Sequence, residues 1–240
     1  MAFEPFIEFF RGIQHKFSTG TSLERPIVQN KEQMAYMRQL QREIKQKDIL
    51  HIPFDRLDLV VFDIETTGFY PYQGDEMISI GAVKIIHGEI REEETFYSLV
   101  HTEKEISPEI ETLTGINNDQ LLNAPTLPEV IDQFLHFSKD LPLVAHHAVH
   151  EKSFLQNIFW KLYRKPLQLR IIDTSFLYRI AEPDLNLVKL EDLCDHNGIP
   201  VINRHHALGD ALLAAKLWTV YIEKVKDKGI DSLKDVYERI

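Results

Sequence analysis

The sequence predicts an α/β fold: a mixed five-stranded sheet flanked by helices, with a helical N-terminal extension. Three observations carry this reading. Leu59-Val60-Val61-Phe62 is a continuous apolar run, the pattern of a strand covered on both faces. Residues 77–86 form a second apolar stretch, and His87-Gly88 marks a tight turn into a third extended stretch over 89–100. Beyond residue 127, helical and extended patterns alternate, as they do when helices pack over a sheet.

The elements follow in order. Residues 1–56 are expected to form the extension. Phe3, Phe6, Ile7, Phe10 and Ile13 fall on one helical face, and residues 18–22 read as a linker. Asn30 and Gln33 resemble an N-cap and its capping partner, behind which Met34, Met37, Leu40 and Ile44 line a second helix. This segment is expected to pack on the main domain, or to serve a protein partner or self-association. The main domain is expected over 57–240. Its strands are placed at 59–62, 77–86, 89–100, 143–145 and 169–172. Its helices are placed at 127–137, 151–163, 175–180, 189–197, 207–226 and 232–238.

Composition narrows the class. A chain of 240 residues accommodates one well-cored domain plus a modest extension. No run approaches the ~20 apolar residues of a membrane span, and the N-terminus lacks the basic start and apolar stretch of a signal peptide. Cys194 is the sole cysteine, which excludes an intrachain disulfide and fits a reducing cytoplasm. The net charge of −10 argues at first against a nucleic-acid partner. Carboxylates gathered to hold divalent cations remove that objection, because such a site presents positive charge once loaded.

The candidate chemistry lies in three segments. Asp63 and Glu65 stand at i and i+2 at a strand's end, so both carboxylates point to one side. Two carboxylates so placed repel unless a cation lies between them. Thr66-Thr67-Gly68 follows with small residues and a flexible backbone that lets a ligand approach. In the second segment, Leu143 to Leu155, a strand ends in His146-His147-Ala148 and a helix begins with Glu151 in its first turn. His146, His147 and His150 could be read as a zinc site, although no cysteine is near and the strand-to-helix turn limits convergence. The third segment is Arg204-His205-His206-Ala207-Leu208-Gly209-Asp210. Residues five apart in a helix differ by ~140° in direction, so His205 acts with Asp210 only from the loop before the helix, folded back over its first turn.

In order and spacing these segments resemble the three exonuclease motifs of the DEDDh superfamily. They are most similar to its DnaQ-like branch, which includes the proofreading epsilon subunit of bacterial DNA polymerase III. The likeness extends to Leu113-Thr114-Gly115-Ile116, Ala124-Pro125, Asp173-Thr174 and residues 190–194, and covers roughly residues 57–226. It implies an RNase H-like fold and a metal-dependent 3′→5′ exonuclease. Asp63, Glu65, Glu151 and Asp210 would hold two divalent cations, Mg²⁺ or Mn²⁺, and His205 would be the general base. Thr66, Thr67, Gly68, Phe69, His146, His150 and Arg204 would meet the substrate, a nucleic acid with a 3′ end, with DNA preferred to RNA. One position departs from the pattern: His150-Glu151 stands where the family has Phe-Asp. The carboxylate of Glu151 therefore sits one methylene farther from the backbone, which bears on rate and on the choice between Mg²⁺ and Mn²⁺. A ribonuclease of the same superfamily and a non-catalytic nucleic-acid-binding or adaptor module are the rival readings.

Overall fold

The computed structural model describes residues 49–139, 141–167 and 169–239. The helices expected within residues 1–48 lie outside that range. Five strands form one sheet: β1 (Leu59–Thr66), β2 (Met77–Ile86), β3 (Glu89–Leu99), β4 (Leu143–Ala145) and β5 (Ile171–Asp173). Their order is β3-β2-β1-β4-β5. The β1–β2 and β2–β3 pairs are antiparallel, and the β1–β4 and β4–β5 pairs are parallel. The hairpin therefore supplies one edge and the alternating half the other.

Side-chain alternation along β1 divides the core in two. Leu59 and Val61 face one cluster, built with α5 (Ser175–Ala181), α6 (Leu190–His196), α7 (Ala207–Lys226) and α8 (Leu233–Tyr237). Val60, Phe62 and Ile64 face the other, built with α3 (Leu127–Ser138) and α4 (Val149–Tyr163). All four residues from Leu59 to Phe62 are fully buried, as the unbroken apolar run requires. Asp63 and Glu65 continue the face of Leu59 and Val61, toward α7. Among the described residues, no helix is long and apolar enough to cross a membrane.

Two short helices were not foreseen, α1 (Pro108–Thr114) and α2 (Asn118–Leu122). Their local signals are present: Ser107 caps the Ile110 N–H ahead of Pro108, and Asn117 forms a reciprocal capping box with Gln120. At seven and five residues they are too short to show an extended apolar period. The fifth strand lies two residues later than expected at its start and takes in Asp173. Residues 49–56 make 3₁₀ turns rather than a helical extension. Ile49 and Phe54 enter the α5–α8 cluster, where the Phe54 ring meets Trp218 edge-on at 6.3 Å.

Candidate active site

A single glycine brings the third segment onto the first. Gly81 on β2 pairs with Asp63, and a Cβ at Gly81 would overlap the backbone of Ala207 and Leu208. Its absence lets the N-terminal turn of α7 rest directly on the sheet beside Asp63. A register shift between Glu65 and Thr66 then bends the end of β1 at the same place. Carboxylate oxygens of Asp63, Glu65 and Asp210 consequently lie within 4.8 Å of one another.

Glu151, in the first turn of α4, is 4% exposed and lies outside that three-carboxylate set. Its charge nevertheless acts on Asp63, and the charge of Glu65 acts on it. Burial pushes its carboxyl up to about 8, helped by the charges of Asp173 and Glu65. Burial, reinforced by Asp210, lifts Glu65 to about 7. Asp63 is raised well above the usual carboxylate range by burial and by the charges of Glu151, Glu65 and Asp210. Glu151 Oε2 and Asp210 Oδ1 are buried without a hydrogen-bond partner. Mutual repulsion together with unpaired buried oxygens is the state that divalent cations relieve, so these residues fit a metal cage.

His205 and Asp210 meet as the sequence required, through the loop. Asn203 and His205 adopt left-handed backbone conformations with φ of 55° and 60°. The His205 N–H thereby donates to Asp210 Oδ2 at 3.2 Å. Its imidazole lies in a half-buried position, where burial and then the Arg204 charge hold its pKa below the usual value. An imidazole with a lowered pKa favours its neutral form, which can accept a proton. Next to it His206 caps α7, and its ring stacks on Tyr97 at 4.4 Å.

The remaining expected residues divide into two groups. At the last residue of β1 the Thr66 hydroxyl donates to the Gly68 carbonyl at 2.7 Å, and in the loop that follows Thr67 exchanges hydrogen bonds with the Glu76 backbone. Phe69 is 60% exposed and edge-on to the His150 ring at 5.7 Å. His150 Nε2 lies 3.3 Å from Thr66 Oγ1 and, lowered to about 4 chiefly by burial, stays neutral. Phe69 and His150 thus meet next to the end of β1, on which Asp63 and Glu65 stand. His146 and Arg204 are engaged with protein. His146 bridges Thr174 and the Val188 carbonyl, and burial lowers it to about 3. His147 reaches the same carbonyl at 2.7 Å. Both rings therefore donate from Nε2 to one acceptor, and His150 turns elsewhere; the histidines do not converge as zinc ligands do. Arg204 bonds Asp210 and Glu191.

Two contributors were not singled out from sequence. Gly81 carried a signal, because glycine inside a strand marks close backbone approach. Glu191 lay within the family likeness over residues 190–194, but nothing in the sequence paired it with Arg204.

Residues 60–218 match the RNase_T family, described as an exonuclease. The chain is 36% identical over 179 residues to a PolC-type DNA polymerase III of Caldanaerobacter subterraneus subsp. tengcongensis, covering 75% of this chain and 12% of that protein. It is 33% identical over 177 residues to the 3′-5′ exonuclease DinG of Staphylococcus epidermidis, covering 74% of this chain and 19% of that protein. The chain thus spans less than a fifth of the length of these curated relatives. Among solved structures, the nuclease domain of 3′hExo, a DEDDh family member bound to rAMP, superposes with a TM-score of 0.60 at 22% identity. That match covers 69% of this chain and 92% of the other. Escherichia coli Exonuclease I in complex with a dT13 oligonucleotide gives 0.62 at 16% identity, covering 72% and 43%. Both share the sheet and its flanking helices.

Proposed function

This chain belongs to the RNase_T exonuclease family, and from that premise we propose that it removes nucleotides from the 3′ end of DNA by metal-assisted hydrolysis. The observation that carries the reading is the set of Asp63, Glu65 and Asp210 oxygens within 4.8 Å of one another, with the unpartnered Glu151 Oε2 buried nearby. Asp63, Glu65, Asp210 and Glu151 would hold two Mg²⁺ or Mn²⁺ ions, which supply Lewis-acid stabilisation to the attacking and leaving oxygens of a phosphodiester. His205, neutral and in the loop over the α7 turn, takes the proton of the attacking water. Thr67 and Gly68 position the terminal nucleotide, and Phe69 with His150 offers its base a stacking surface. We assign any protein partner or self-association to the N-terminal segment, which lies outside the RNase_T match over residues 60–218.

The test is a digestion panel: single-stranded, duplex and mismatched DNA beside matched RNA, with Mg²⁺ and with Mn²⁺. DNA is expected to be shortened in a cation-dependent way, with Asp63→Ala reducing turnover to background. Preference for the RNA strand would move the reading to an exoribonuclease. Binding without turnover on every substrate would move it to a non-catalytic module, and activity persisting in Asp63→Ala would sink the metal cage.

A further inference from the structure

The carboxylate of Asp210 is held on one oxygen only. Arg204 Nη1 and the His205 N–H both donate to Oδ2, while Oδ1 is buried with no partner. The other arm of the guanidinium, Nη2, donates to Glu191 Oε2 at 2.9 Å, so Arg204 is pinned between carboxylates on two helices. The Arg204 and Asp210 side chains are 22% and 6% exposed, which removes most of the water that would weaken such bonds. Gly209 completes the geometry: a Cβ there would overlap the Asn203 carbonyl, so its absence lets the loop carrying Arg204 lie over the first turn of α7.

We infer that Arg204, anchored by Glu191, is a positioning residue that fixes the Asp210 carboxylate so that Oδ1 faces the metal cage. This rests on the metal reading given above, and assigns Arg204 a role through Asp210 in place of direct contact with a substrate phosphate. The physical basis is general: hydrogen bonds to a ligating carboxylate select its orientation before the cation arrives, and losing them weakens metal binding ~10–100-fold. Among the described residues no ion pair of this kind holds Glu151, whose Oε2 is also unpartnered but whose carboxylate lies outside the three-residue set. The arrangement also has a competing consequence, since a guanidinium on Oδ2 adds positive charge near the cations. Orientation outweighs that repulsion if Arg204 stays on Oδ2 when the metal binds.

Mn²⁺ titration by calorimetry on the full chain tests this, without substrate and at a temperature where every variant is folded. Wild type is expected to bind, and Arg204→Gln to bind ~10–100-fold more weakly. Arg204→Lys keeps the charge but cannot span both carboxylates, and should fall between them. Millimolar guanidinium should restore Mn²⁺ affinity to Arg204→Ala but not to Asp210→Ala, a rescue that general loss of structure would not produce. Unchanged or tighter binding by Arg204→Gln would overturn the proposal and make Arg204 a bystander or a rival cation. Weaker binding that guanidinium fails to rescue in Arg204→Ala would overturn it too. A wild type that binds no Mn²⁺ would remove the metal reading itself, and this proposal with it.

Discussion

The two helices that bring carboxylates to β1 do so in different ways. Asp210 on α7 is tied by Arg204 and by the His205 N–H, and its N-terminal turn rests on the sheet where Gly81 leaves room. Glu151 on α4 has a longer side chain, a buried oxygen with no partner, and a place outside the three-carboxylate set. One half of the cage is preorganised by hydrogen bonds. The other has one buried oxygen without a partner, in a position whose burial raises its pKa to about 8. On the proposed function, a cation would complete the second half more than the first, so the halves should respond differently to mutation.

The largest effect is expected on the α7 side. His205→Ala should lower kcat by ~10²–10⁴-fold while leaving the circular-dichroism spectrum and Mn²⁺ binding unchanged. Full activity in that variant would remove the base from the mechanism. On the α4 side, Glu151→Asp shortens the ligand by one methylene. Mg²⁺ tolerates misplaced ligands poorly, so the ratio of the rate with Mn²⁺ to the rate with Mg²⁺ should be about tenfold lower in this variant than in wild type. An unchanged ratio of rates with the two ions would show that Glu151 does not set the geometry.

The smallest effect is on metal-free stability. Folding raises the Glu151 pKa from the ordinary 4.5 to about 8. A raised carboxylate pKa favours the protonated form in the folded state. Its stabilising contribution is therefore full below pH ~4.5 and is lost as pH rises through about 8. In EDTA, Glu151→Gln should match wild type below that range and be the more stable protein above pH 8, read as a higher Tm. With saturating Mn²⁺ the order should reverse, because the variant has lost a charged ligand. Equal pH dependence of the two proteins in EDTA would contradict the burial of an ionisable group at this position.

The same contrast explains what was legible in the sequence. The sheet and its long helices were, because burial on one or two faces imposes a period on the apolar residues: β2 and α7 begin and end where the pattern places them. Asp63 and Glu65 were legible as a pair, because strand alternation alone puts both on one side. The loop position of His205 followed from helical geometry. What the sequence could not show was tertiary. Neither the Glu191 bond to Arg204 nor the sharing of the Val188 carbonyl by His146 and His147 has a local pattern, since each joins residues 13 to 42 positions apart. Helices α1 and α2 escaped for a different reason: they are specified by caps rather than by apolar periodicity.

The most direct measurement follows a 5′-labelled single-stranded DNA oligonucleotide through time with Mg²⁺ or Mn²⁺. A ladder shortening one nucleotide at a time from the 3′ end is expected, with nucleoside 5′-monophosphate released, no reaction in EDTA, and none in Asp210→Ala. Internal cuts, shortening that continues in EDTA, or equal activity in Asp210→Ala would contradict the assignment of the β1–α7 carboxylates to catalysis.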